Sequence, residues 1–288
     1  MPSSFKEILA VSATHRVALG HFNVAELSIF KAVLRASKDI DVPVIIGVSE
    51  SEREFFGFQN IVSLIKIARD SGSRVFLNAD HTKHPEAALL AARAGFDAIL
   101  MDLGHLPLEE NAKQTKKIVE EIKSINPNIL VEGELGYIGS GSQLLHTLPE
   151  GAALTENSLT TKEEAEQFVR ETKIDLLAPA VGNLHGIYVD GKHPALNINR
   201  IREIKSVVNI PLVLHGASGN TDADIRAAIT AGMNIVHVST EVRLAWRRAL
   251  DESLKTHPEE LAPYKLLAPA EIAAYNIISR KLHLFIRN

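Results

Sequence analysis

The sequence predicts an α/β fold, a (β/α)8 TIM barrel with an additional C-terminal helical tail, and three observations predict it. Short apolar, β-branched runs alternate with longer amphipathic segments from one end of the 288 residues to the other, the pattern of a parallel sheet wrapped in helices. Eight such strand-plus-helix units can be counted, each of about thirty residues. The polar residues gather at one end of the strands, where barrels keep their chemistry. No shift in composition marks a boundary, so residues 1–288 read as one domain.

The strand at 17–23 ends on Asn23, and the strand at 42–49 on Ser49. The third and fourth, 75–80 and 98–103, bring Asp80-His81 and Asp102 to the same rim. The fifth, 128–135, carries Glu132 and Glu134, and the sixth, 175–182, runs into Gly182-Asn183-Leu184-His185-Gly186. The seventh, 211–217, repeats that event at His215-Gly216-Ala217-Ser218-Gly219, and the eighth, 234–240, closes on Ser239-Thr240. Apolar runs of this length bounded by glycine read as strands covered on both faces. Helical stretches near 25–38, 60–71, 85–94, 108–125, 161–171, 198–207, 222–231 and 241–254 fill the crossovers. Thr161-Lys162-Glu163-Glu164 and Thr221-Asp222-Ala223-Asp224 look like N-caps with acids in the first turn, and Gly95 and Gly232 like C-caps. Residues 136–160 hold Gly136, Gly139, Gly141 and Gly151, and a loop of that length is usually a lid or a binding loop. The tail spans 270–285, with Arg280, Lys281 and Arg287 near its end.

A formal charge of −4 offers no general attraction for nucleic acid or anionic membrane, so neither is an expected partner. There is no cysteine, hence no disulfide or thiolate chemistry. The first residues lack a secretory pattern and no run of eighteen apolar residues occurs, which together point to the cytoplasm.

Three histidines at strand ends, His81, His185 and His215, with Glu134 from a fourth strand, offer the imidazole and carboxylate set that Zn²⁺ accepts. Any one of them alone reads more simply as a hydrogen-bonded rim residue; four on one mouth point to a metal. Asp80 beside His81 suits a supporting carboxylate or a general acid/base, and Thr82 is better placed than Asp80 to cap the helix that follows. The loops after strands seven and eight combine Gly216, Ser218, Gly219, Ser239 and Thr240 with helix N-termini, where barrels commonly bind phosphate, although the two glycines serve a tight turn equally well. Metal and phosphate sites together suggest a phosphorylated substrate that chelates the metal.

At these residues the chain resembles the class II, zinc-dependent ketose-bisphosphate aldolases, the family of fructose-bisphosphate and tagatose-bisphosphate aldolases. The likeness runs through Phe22-Asn23, residues 75–82 with Asp-His, the segment 102–111, Val131-Glu132-Gly133-Glu134-Leu135-Gly136, residues 182–188 with His-Gly-x-Tyr, and His215-Gly216-Ala217-Ser218-Gly219. It implies zinc on His81, His185 and His215, with Glu134 as a ligand when the metal shifts. It implies Asp80 as the residue that exchanges the proton of the aldehyde oxygen, and a phosphate site of Gly182, Gly216, Ser218, Ser239 and Thr240. Asn23 and Ser49 would touch substrate, Gly186 and Gly216 would help hold a monovalent cation (Na⁺ or K⁺), and Arg280 would take the second phosphate, in a homodimer or homotetramer. The implied activity is reversible cleavage of fructose 1,6-bisphosphate, or of the tagatose epimer, to dihydroxyacetone phosphate and glyceraldehyde 3-phosphate through a zinc-stabilised enediolate, a step of glycolysis in the first case. Two other readings stay open: an aldolase for another phosphorylated ketose or deoxy sugar acid, and a weakly active metal- and phosphosugar-binding subunit.

The chain departs from the family pattern at named places. Asn78 stands where the third strand usually has a histidine, and Gly139-Ser140-Gly141-Ser142 replaces a segment whose carboxylate is assigned to proton exchange. His237 occupies the place of an asparagine, and His21 that of an alanine. Alternation puts His21 on the face of Asn23, Asn78 on that of Asp80 and His237 on that of Ser239. The expectation is that His21 and His237 lie side by side and that, with Asn78 and Ser142, they retune the site for its ketose; drift in a buried polar layer is the competing account.

Overall fold

Eight strands close into a ring around an interior that changes from apolar to polar along the barrel axis. A computed structural model describes residues 4–139, 141–147, 158–189 and 193–286; Ser140, Gly151 and Arg287 fall outside them. In chain order the elements are α1 (Phe5–His15), β1 (Leu19–Asn23), α2 (Leu27–Ile40), β2 (Val44–Val48), α3 (Glu50–Phe56), α4 (Phe58–Asp70), β3 (Val75–Thr82), α5 (Pro85–Ala94), β4 (Ala98–Met101), α6 (Leu108–Ile125), β5 (Leu130–Leu135), β6 (Leu144–Leu145), α7 (Lys162–Thr172), β7 (Leu176–Pro179), β8 (Ile187–Tyr188), α8 (Ile198–Val207), β9 (Leu212–Leu214), α9 (Asp222–Ala231), β10 (Met233–Val238), α10 (Thr240–Thr256) and α11 (Pro263–Ile286). The ring order is β1-β10-β9-β7-β5-β4-β3-β2, parallel throughout, which is the expected (β/α)8 barrel. The pair β6 and β8 forms a separate two-stranded ribbon.

Three elements extend the expectation. The helix α1 starts at a capping box, where Ser4 Oγ accepts from the Glu7 N–H at 3.2 Å and Glu7 Oε2 accepts from the Ser4 N–H at 3.1 Å. Its Phe5, Ile8 and Leu9 pack with Leu19, Ile45, Phe76, Ala98, Leu130, Leu176, Val213 and Ile235, the inward residues at the start of the strands. Phe5 stacks on Phe76 with ring centroids 4.3 Å apart, so α1 plugs the amino end of the barrel. The short α3 occupies the turn after β2, which makes Ser49 its N-cap residue rather than a strand end. The tail helix α11 is longer than 270–285 and begins at Pro263.

A strand repeats its facing every second residue. Two residues above the apolar floor the inward positions become His21, Gly47, Asn78, Glu132, His215 and His237, and two further on Asn23, Asp80 and Glu134 follow, all the polar ones buried. The much larger apolar cluster between strands and helices holds this ring in place, with each fully buried aliphatic or aromatic side chain contributing about 1.5–3 kcal/mol. Among the described residues no helix is long and apolar enough to cross a membrane.

Candidate metal centre and cavity

His81, Glu134, His185 and His215 each bring one ligand atom to a common point, all within 4.8 Å of one another. Their rings lie 4.7 Å (His81 and His185), 5.0 Å (His81 and His215) and 5.6 Å (His185 and His215) apart, edge to face. Alternation alone would turn His81 away from Asp80. The register of β3 against β4 shifts between Ala79 and Thr82, and His81 takes φ +40°, a value L-residues rarely adopt. That bulge brings both neighbours to the mouth. Thr82 does not cap α5; its hydroxyl donates to the Ala79 carbonyl at 3.1 Å. His185 sits in the loop after β7, where its N–H donates to the Ile138 carbonyl at 3.0 Å and Asn183 Nδ2 donates to the His215 carbonyl at 3.0 Å. Gly104 leaves room for Glu134, since a Cβ there would meet Glu134 Oε1 at 2.8 Å.

Carboxylates orient the imidazoles from behind. His81 Nδ1 donates to Asp102 Oδ2 at 2.8 Å and His215 Nε2 donates to Glu132 Oε1 at 2.8 Å, the arrangement that fixes a ligand's tautomer and raises its basicity. His215 Nδ1, His185 Nε2 and Glu134 Oε2 are buried with no hydrogen-bond partner. Three buried, unclaimed donor atoms, with His81 Nδ1 and His215 Nε2 tied back, fit a cation bound by nitrogen and oxygen.

Crowding of these groups shifts their charges strongly in the metal-free cluster. Burial opposes charge on His81, but Asp80, Asp102 and Glu134 overcome it and push its pKa up to about 10. Burial, then repulsion from Asp102, raises Glu134 well above the carboxylate range. Burial, then His81 and His215, holds His185 well below the usual imidazole value. In Asp80 burial favours the acid, yet His81, His21, His215 and the Asn23 amide hold it well below the carboxylate range. Asp80 Oδ2 accepts from Asn23 Nδ2 at 2.8 Å while Oδ1 has no hydrogen bond, so one oxygen of a firmly ionised carboxylate is available.

Above this centre opens a cavity of about 780 Å³, within the range of small-molecule sites. Of the residues singled out from the sequence, Asn23, Ser49, Asp80, His81, Ser142, His185, Gly186, Gly216, Ser218, His237, Ser239 and Thr240 line it. Ser239 Oγ is buried and unpartnered beside the N-terminus of α10, and Ser218 Oγ accepts from the Glu241 N–H at 3.3 Å. Gly186 has its carbonyl engaged by His193 Nε2 at 3.0 Å. Asn78 and Glu134 lie deeper. Gly182 is not a lining residue; at φ +93° it lets the chain pass the Ala195 carbonyl, which a Cβ would approach to 2.7 Å. Arg280 also lies outside the cavity of its own chain. It donates to Glu241 Oε2 at 3.1 Å, while the buried Lys281 donates to Glu241 Oε1 at 2.8 Å and the Gly219 N–H to the same oxygen at 3.0 Å.

Residues not singled out from the sequence complete the walls. Glu52 accepts from the Ser49 N–H at 2.7 Å, from Asn23 Nδ2 at 3.2 Å and from Arg243. Its signal was legible as Ser49-Glu50-Ser51-Glu52, a capping box. Arg53 is almost wholly buried and donates to the Val48 carbonyl at 2.7 Å, the Asp80 carbonyl at 3.2 Å and Thr82 Oγ1 at 3.2 Å, which fixes the strand end that carries Asp80. Lys83, Arg243, Trp246 and Arg247 line the outer cavity.

The family model described as fructose-bisphosphate aldolase class-II matches residues 3–288. The fructose-bisphosphate aldolase of Geobacillus stearothermophilus is 32% identical over 286 residues, covering 98% of this chain and 96% of that one. That of Staphylococcus aureus strain Mu50 is 33% identical over the same shares. Among solved structures, the YdjI aldolase from Escherichia coli K12 superposes with a TM-score of 0.82 at 26% identity, covering 99% of this chain and 97% of its own. With the barrel, the buried His81-His185-His215 cluster and a match along nearly its whole length, the chain belongs to the class II fructose-bisphosphate aldolases, lyases that act on phosphorylated ketoses.

Proposed function

We propose that the protein is a zinc-dependent aldolase that reversibly cleaves a ketose 1,6-bisphosphate, fructose in first place and tagatose next, to dihydroxyacetone phosphate and glyceraldehyde 3-phosphate. The observation that carries this reading is the convergence of His81, Glu134, His185 and His215 beside the unpartnered Oδ1 of Asp80 at the base of the cavity. His81, His185 and His215 would hold the metal, with Glu134 as the fourth donor. Zinc there supplies a Lewis acid that polarises the ketose carbonyl and stabilises the charge that develops as the C3–C4 bond breaks. Asp80 takes the C4 hydroxyl proton at Oδ1, and Asn23 holds the carboxylate in register through Oδ2. The N–H groups after Gly216, the hydroxyls of Ser218 and Ser239, and Thr240 at the head of α10 form the phosphate cradle, because an N-terminus of a helix offers unpaired donors and a favourable dipole. Ser49 and Asn23 make the opposite wall. The same reading takes the chain as one catalytic domain, working in the cytoplasm as a homodimer or homotetramer.

The test joins bound-metal analysis to a coupled cleavage assay on both bisphosphates before and after chelation. Zinc near one ion per chain and cleavage that chelation abolishes and zinc restores are expected. Asp80→Ala should lower kcat by about 10²–10⁴; cleavage at the parent rate would remove Asp80 from the mechanism. Zinc without cleavage of either bisphosphate would redirect the reading to another phosphorylated ketose, and a chain without metal to a binding subunit.

A further inference from the structure

Beneath the metal cluster lies a buried polar row that the proposed chemistry leaves unused. His21 and His237 are register partners on adjacent strands, and their rings stack at 3.4 Å with 2° between planes. His237 is also packed against His215, with ring centroids 3.9 Å apart and the planes tilted by 39°, so two rings hold it. On its far side His21 reaches across β2 to β3, where Asn78 Nδ2 donates to His21 Nε2 at 3.2 Å. The strand it crosses has glycine at that place. A Cβ on Gly47 would stand 2.1 Å from His21 Cε1 and 2.3 Å from Nε2, so Gly47 is the opening through which the imidazole reaches Asn78. His21 and His215 therefore bracket the His237 ring, and Asn78 and Gly47 seat His21. The His237 ring lines the cavity, its Nδ1 stands 3.7 Å from Asp80 Oδ1, and its Nε2 is buried with no hydrogen-bond partner.

We propose that His237 is a specificity-determining residue, which hydrogen-bonds the substrate hydroxyl whose proton Asp80 takes, and that His21, Asn78 and Gly47 are its positioning residues. The inference rests on the aldolase reading above. In a ketose 1,6-bisphosphate that hydroxyl is on C4, the carbon at which fructose and tagatose differ, so a rigid donor or acceptor beside Asp80 reads its configuration. A neutral imidazole carries one donor and one acceptor nitrogen. A second metal cradle is the competing use of His21, Asp80 and His237, since one ligand atom from each lies within 4.8 Å. Imidazole lone pairs lie in the ring plane, however, and two parallel rings 3.4 Å apart aim theirs side by side rather than at one point.

The test compares kcat/KM for fructose and tagatose 1,6-bisphosphates in the zinc-loaded parent, His237→Asn, His237→Gln and His21→Ala. Zinc per chain and the Kd for dihydroxyacetone phosphate, which lacks C4, are measured alongside. The expected result is a change of about tenfold or more in the epimer ratio for both His237 variants, a smaller change in the same direction for His21→Ala, and zinc content and dihydroxyacetone phosphate Kd within twofold of the parent. The two His237 substitutions guard against the loss of one to misfolding. An epimer ratio that stays within twofold in an active His237 variant overturns the inference and leaves the aldolase reading standing. Two zinc ions per chain in the parent and one in His21→Ala overturn it in favour of a metal cradle. A zinc-loaded parent that cleaves neither epimer overturns both.

Discussion

Gly47→Ala should destabilise the barrel chiefly through His21. Gly47 has an ordinary strand backbone, so the substitution introduces no strained φ; its main effect is the contact between the new Cβ and the His21 ring at 2.1 Å. To reach van der Waals distance the ring must retreat by more than an ångström. It cannot, because His237 stacks on it at 3.4 Å and Asn78 bonds its Nε2 at 3.2 Å. Overpacking costs about 1–3 kcal/mol and losing the Asn78 bond about 1 more, so Gly47→Ala should cost about 2–4 kcal/mol. His21→Ala alone should cost about 2–4 kcal/mol for the cavity it leaves and for the stranded Asn78 amide. In Gly47→Ala/His21→Ala the new methyl enters the space the ring vacates, and the pair should be less damaging than the sum by about 1–3 kcal/mol. Urea unfolding of the parent, both single variants and the double variant measures the cycle. Additivity within about 0.5 kcal/mol would refute the reasoning, because it would mean that His21 and Gly47 do not compete for one volume.

Other consequences can be read from the same contacts. Glu132→Ala or Asp102→Ala, which release His215 and His81 from their orienting carboxylates, should weaken zinc binding about 10- to 100-fold in a chelator competition, whereas Glu203→Ala on the surface should not change it. Lys281→Met should cost about 3 kcal/mol by leaving Glu241 short of its buried partner, while Arg280→Ala, whose side chain is half exposed, should cost less than about 1 kcal/mol; denaturant midpoints separate the two. Phe5→Ala should cost about 3 kcal/mol by opening the barrel floor, yet leave kcat/KM for the cleaved bisphosphate within twofold, since the floor lies two layers below the mouth.

The barrel was legible because strands buried on both faces announce themselves as unbroken apolar runs, and because the rim residues His81, Glu134, His185 and His215 sit at their ends. Topology alone brings those chain segments to one rim. What the sequence withheld depended on short-range detail. The α3 helix is brief and α1 precedes the first strand, outside the repeating strand-helix pattern, so only their Ser-x-x-Glu starts at Ser49 and Ser4 marked them. The joint orientation of Asp80 and His81 depends on a bulge that no alternation rule contains. Nothing in the sequence marks Arg53 and Lys281 as buried, since charged side chains are seldom so, and only packing reveals that each is enclosed with its partners. The residues His21, Asn78 and His237 were visible as polar inward positions, but the step that joins them passes through Gly47, whose part is to have no side chain.

The Glu241 junction bears on how the molecule is made. Its carboxylate holds the loop at Gly219 on one side and Lys281 and Arg280 on the other, so a segment proposed to grip phosphate is secured by α11. During synthesis the amino-terminal parts of a protein can fold first, and every strand of this barrel precedes α11. A nascent barrel can thus close its ring while the Glu241 carboxylate still lacks two of these three partners. The site reaches its working form only when α11 has been made and has docked Lys281 against Glu241.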